Sequence, residues 1–202
     1  MTMTASDGEE PDVSPADERA RESLLPWAGQ PAVLLDRHLR VLAATRLARA
    51  LSPGFRPGVN LVRFTFLDAA GRQDSPSWRA AADQIAALLR ESLDRHEGDR
   101  GFPAVVGELS ATSAAFARSW AGGAPAASSG SVDLPDTAVG RLSLGYRLTR
   151  LPDDDSTLVL FEPLDATARE ALHRLAVSAR RPPASDRPGR PGADPAGRDG
   201  AT

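Results

Sequence analysis

A chain of 202 residues with a net charge of −3 and no cysteine is long enough for one folded domain with tails, and it excludes disulfides and thiolate metal sites. The acidic balance leaves no electrostatic footprint for nucleic acid, so direct nucleic-acid binding is not expected. Residues 1–10 are polar and acidic, without the basic start and apolar stretch of a secretory leader. Apolar runs such as 85–89 fall far short of the ~18 residues a membrane span needs. A cytoplasmic location and no membrane attachment are the expectations. Lysine is absent and alanine abundant, a composition typical of a GC-rich genome.

Residues 1–23 are acidic and almost without large apolar side chains. Such a segment cannot bury enough surface to offset its chain entropy, which predicts a disordered tail. The Pro, Gly and Arg content of 181–202 predicts a second one. The folded domain is expected over 24–180. Its first elements are the apolar runs 32–35 and 39–43, joined by Asp36-Arg37-His38, which reads as a hairpin. A helical piece over 46–51 stops at Pro53-Gly54, and 60–68 reads as a short helix. Trp78, Ala81, Ala82, Ile85, Leu88, Leu89 and Leu93 recur at helical spacing, with Ser77 as the expected N-cap. Phe102, Val105, Val106 and Leu109 mark the next helix. Phe116 and Trp120 mark another, capped by Ser113.

After a small-residue stretch over 122–130, read as a flexible linker, the period changes to two. Leu142, Leu144, Tyr146 and Leu148 alternate with Arg141, Ser143, Gly145 and Arg147, the pattern of a strand with one face buried. Residues 131–134 are a further candidate strand. Residues 152–156 form a turn, and the continuous apolar run 158–161 reads as a central strand. A final helix over 166–180 would start with a Thr167–Glu170 capping box. Hairpin, helices, then antiparallel strands predict an α+β fold with helices packed on one sheet face.

No motif for chemistry emerges. The three histidines, His38, His96 and His173, have no metal-ligand spacing. The triplet Asp153-Asp154-Asp155 lacks the alternation of a calcium loop. Nucleophile elbow, phosphate loop and dinucleotide fingerprint are all missing. No catalytic residue, metal site or cofactor is expected, and the chain reads as a non-enzyme.

The few aromatics are more telling. Phe64, Phe66, Trp78, Phe116, Trp120, Tyr146 and Phe161 fall on predicted apolar faces, where they either fill a core or line an apolar pocket. Arg63 lies in an apolar run, where its guanidinium requires solvent, a chain carboxylate or a ligand anion. Arg63, Phe64, Leu67, Trp78, Phe116, Trp120 and Tyr146 are the candidate ligand contacts.

Several segments carry a family resemblance in order. They are Ala32-Val33-Leu34-Leu35-Asp36-Arg37-His38-Leu39-Arg40-Val41-Leu42-Ala43-Ala44, Asn60-Leu61-Val62-Arg63-Phe64-Thr65-Phe66-Leu67-Asp68, and Glu108-Leu109-Ser110 with Ser113, Phe116 and Trp120. Val139-Gly140-Arg141-Leu142-Ser143-Leu144 and Leu151-Pro152-Asp153-Asp154 complete the series. This series resembles the ligand-binding domain of MmyB-like transcription regulators. The resemblance implies a PAS-like fold and a pocket for a fatty-acid-like or other apolar small molecule. It also implies a regulator normally joined to an Xre-type helix-turn-helix. Residues 1–23 are too few and too polar to supply that module. The expectation is therefore action through a protein partner or homodimer, unless the reading frame begins further upstream. The alternative is a protein-interaction module with a filled core and no ligand. Ala121-Gly122-Gly123 after Trp120, and Ser131-Val132-Asp133-Leu134-Pro135, depart from the family's basic and histidine-bearing runs, so no polar role carries over there.

Overall fold

The computed structural model describes residues 15–68, 75–151 and 155–180. The expectations for 1–14, for the tail 181–202 and for turn residues 152–154 lie outside the described residues. Helix α1 spans Pro15–Glu22, inside the stretch whose acidity predicted disorder through residue 23, and this corrects that expectation. Asp17 and Glu18 in its first turn and Arg19 and Arg21 in its last complement the helix dipole. Ala20 and the following Leu24 are buried against the sheet.

Strands β1 (Ala32–Leu35) and β2 (Val41–Ala44) form the expected hairpin. Its turn is held by Asp36, whose carboxylate Oδ1 accepts from the N–H groups of His38 and Arg40, both at 2.8 Å. The turn leaves buried Leu39 in the left-handed region at φ 61°, a conformation costing about 1–3 kcal/mol that persists only where the surroundings over-determine it. Here the Leu39 carbonyl accepts from Leu61 N–H at 2.9 Å, and Asn60 Nδ2 donates to the His38 carbonyl at 2.8 Å. Thr45 ends the hairpin and caps α2 (Arg46–Leu51). Its buried hydroxyl accepts from Ala32 and Ala48 N–H and donates to the Gln30 carbonyl.

Helix α3 (Leu61–Arg63), capped by Asn60, widens into a π turn over Phe64–Asp68. Helix α4 (Pro76–Arg95) is capped by Ser75, not by the expected Ser77. Pro76 takes the first helical position, where its missing N–H has no intrahelical partner to lose. Helices α5 (Gly101–Thr112) and α6 (Ala114–Ala121) follow, and Ser113 caps α6 as expected. Strands β3 (Ser129–Thr137), β4 (Gly140–Leu151) and β5 (Ser156–Pro163) precede α7 (Ala166–Arg180). The cap of α7 is Asp165, which accepts from Ala168 N–H at 2.7 Å. Thr167 is already inside the first turn, so it cannot open a capping box.

The five strands form one antiparallel sheet in the order β2-β1-β5-β4-β3. The fold is α+β and PAS-like, and the continuous apolar strand β5 is central, as its sequence predicts. Val33, Leu35, Leu142, Leu144, Val159 and Phe161 point into the main core with the buried faces of α2–α7. Ala32, Leu34, Ala43 and Leu158 point the other way, where Ala20, Leu24 and Trp27 cover them. Six helices thus share one face, and α1 adds cover on the other that the sequence did not foretell. The supposed flexible linker is also pinned. Gln84 of α4 donates to the Ala127 carbonyl at 2.7 Å and accepts its N–H at 3.0 Å. Arg90 donates to carbonyls of Ser119, Trp120 and Ala124. Residues 129 and 130 already belong to β3.

Candidate functional site

Between α4 and the inner face of the sheet the core is incomplete. A chamber of about 210 Å³ opens there, roofed by Phe64, Trp78, Ala81, Ile85 and Leu88 and floored by Val33, Leu35, Val132, Tyr146, Leu148, Val159 and Phe161. Alternation along β1, β4 and β5 presents the floor residues, and helical spacing along α4 presents the roof. Ala81 lines the space from the apolar face of α4, where a larger side chain would take up part of the volume.

The lining is largely apolar with a few polar groups, the usual character of a small-molecule site. Tyr146 pairs across the sheet with Gly130. Burial pushes its phenol pKa above the ordinary tyrosine value. Its hydroxyl has no hydrogen-bond partner among the described residues. The indole N–H of Trp78 is buried and likewise unpartnered. A buried donor left unmade costs about 1–3 kcal/mol, which an acceptor on a bound molecule would offset. Asp133, the carboxylate at the margin of the chamber, accepts from the Ser143 hydroxyl. These groups suit binding and orientation, and among the described residues no acid–base pair converges on the space.

Of the candidate contacts read from sequence, the chamber brings together Phe64, Trp78 and Tyr146. Four lie elsewhere. Arg63 is exposed and forms an ion pair with Glu108 of α5. Leu67 packs half-buried against the main core. Phe116 is fully buried, edge-on to Phe66 at 5.1 Å and stacked on Trp120 at 5.5 Å. Trp120 in turn lies under the Arg90 guanidinium at 4.9 Å from its ring centre. The sequence reading missed the aliphatic lining, since Ile85, Leu88, Val132 and Leu148 look like any core residue. Ala81, a small residue amid large ones on a helix face, was the available signal.

A PAS-like sheet with a largely apolar chamber under its longest helix is an arrangement able to take up a small molecule. Residues 16–175 match the MmyB-like transcription regulator ligand binding domain, and the chain belongs to that family. Among curated proteins, none matches the chain. No described helix is long and apolar enough to cross a membrane.

Proposed function

We propose that this domain binds a fatty-acid-like or similarly apolar small molecule in the chamber. In this reading it reports occupancy to a protein partner of the regulatory machinery in the cytoplasm, as a binding module and not an enzyme. The observation that carries the reading is the apolar chamber, lined by the half-buried Tyr146 and by Trp78, whose buried indole N–H has no hydrogen-bond partner among the described residues. The vacant space weighs against a filled core. Ligand acts by favouring the conformation it fits, by as much as its affinities for the two conformations differ, and a net charge of −3 favours a protein reader over a direct nucleic-acid contact. The test is thermal unfolding of the chain with a panel of alkyl ligands, beside Ala81→Trp, which fills the chamber. Ligand-dependent gains in Tm are expected for the native chain and not for the variant, since binding to the folded state alone raises apparent stability. A flat response across the panel in both proteins argues for a module that binds no ligand.

A further inference from the structure

Helix α2 packs against α7 and against the 3-10 turn Pro53–Phe55 that follows it. Their inner sides are committed to the core through Leu47, Leu51, Leu172 and Leu175. Their outer sides face solvent and carry one sign of charge in excess. Arg46 and Arg49 of α2, Arg56 after the turn, and Arg169 and Arg174 of α7 are all exposed. Glu170 is the one carboxylate on these elements. Asp165, just before α7, is engaged by the Ala168 N–H.

Five guanidiniums against one carboxylate make a local positive surface on a chain whose net charge is −3. Arg46 and Arg49, three residues apart, are neighbours on one helix face and repel each other, a cost that an anionic guest would offset. Guanidinium forks match carboxylates through paired hydrogen bonds. The sign of the surface selects an anionic partner, and the net charge narrows it further. The field of these arginines reaches about a Debye length, ~8 Å at physiological salt. A short acidic segment docked on them therefore senses the local excess alone. A nucleic-acid duplex is a long polyanion that also meets the rest of the chain, whose balance is acidic.

We propose that the outer face of α2 and α7 is the docking surface for an acidic protein segment, its carboxylates on Arg46, Arg49, Arg169 and Arg174. This rests on the reading above for its protein reader, and gives that reader a place and a chemistry. The contact falls on the side of the sheet that holds the chamber, because α2 and α7 pack with the inner face.

The test is fluorescence anisotropy of a fluorescein-labelled alternating Glu–Ala peptide, titrated with the full chain at pH 8 and low salt. Binding should weaken as salt rises and be lost with the Gln–Ala peptide. The double variants Arg46→Gln with Arg49→Gln, and Arg169→Gln with Arg174→Gln, should each weaken binding about three- to tenfold. Arg141→Gln with Arg147→Gln removes the same charge from exposed positions on the opposite face of the sheet. That variant should change binding by less than about twofold, since distant exposed charges are screened. Equal weakening by all three double variants makes the effect one of net charge and overturns the surface. A DNA duplex that binds as tightly as the peptide, and loses as much in the two helix variants, overturns the protein assignment. Residues 1–14 contain Asp7, Glu9, Glu10 and Asp12. If the peptide binds only after Asp7→Asn, Glu9→Gln, Glu10→Gln and Asp12→Asn, the surface takes this chain's own segment and the partner assignment falls. No binding in either protein overturns the proposal outright. The alkyl-ligand panel reads the chamber and this titration reads the helices, so the two readings fail separately.

Discussion

Gly130 and Tyr146 face each other across the β3–β4 ladder, and the tyrosine hydroxyl occupies the space a side chain at 130 would need. A Cβ there would lie 2.8 Å from that hydroxyl. The glycine lets the ring lie flat over the edge strand, an arrangement known to shield strand glycines.

Gly130→Val should push the Tyr146 ring into the chamber. Overpacking of this kind costs about 1–3 kcal/mol. The expected outcome is a lower midpoint of chemical unfolding together with weakened alkyl-ligand binding. Stability lost with ligand affinity intact would show that the ring yields in some other direction.

The chain has a single tyrosine, so ultraviolet difference titration reads Tyr146 alone. Burial raises its pKa above the ordinary value of about 10. The folded state therefore holds the proton more tightly than the unfolded one. Its contribution to stability is complete below the unfolded pKa and is lost as pH rises through the folded pKa. The midpoint of the absorbance change should exceed that of the urea-unfolded chain, and Tyr146→Phe should soften the alkaline fall in stability.

Asp99 behaves in the opposite sense. Its carboxylate accepts the Gly101 N–H at 2.8 Å and faces His38 and Arg37, and these hold its pKa below the usual carboxylate range against an opposing effect of burial. A depressed pKa contributes stability above the unfolded value, lost as pH falls through the folded one. Asp99→Asn should leave the acid limb of a stability–pH profile flatter than in the native chain. Parallel acid limbs would assign the effect to other carboxylates.

Phe116→Ala and Arg63→Ala separate core from site. Phe116 is fully buried within an aromatic cluster, and its truncation should cost about 3–5 kcal/mol. Arg63 pairs with Glu108 at the surface, and its loss should cost at most about 1 kcal/mol. Neither lines the chamber, so where the protein remains folded both should bind alkyl ligands with native affinity.

Much of this architecture was legible because burial imposes a period. The two-residue alternation from Leu142 to Leu148 and the helical spacing from Trp78 to Leu93 each correspond to an observed element. Local competition defeated the reading of caps. Ser75 and Asp165 sit one residue outside the first helical position, and Ser77 and Thr167 offer a similar side-chain oxygen two residues too late. Helix α1 was missed because acidity dominates its composition, while Ala20 and Leu24 suffice to anchor it. The chamber was only half legible. Phe116 and Phe64 are the same residue type on apolar faces, and whether such a face closes on a neighbour or leaves a gap depends on volumes supplied by distant strands.

Gln84 links the roof of the chamber to the segment that leads into the edge strand. Helix α4 roofs the space and, through Gln84, grips both backbone groups of Ala127, two residues before the sheet's edge strand begins. Roof and edge strand are thus yoked. A guest that lifted the helix would pull on the margin of the sheet through these two hydrogen bonds, so the two parts should be displaced together.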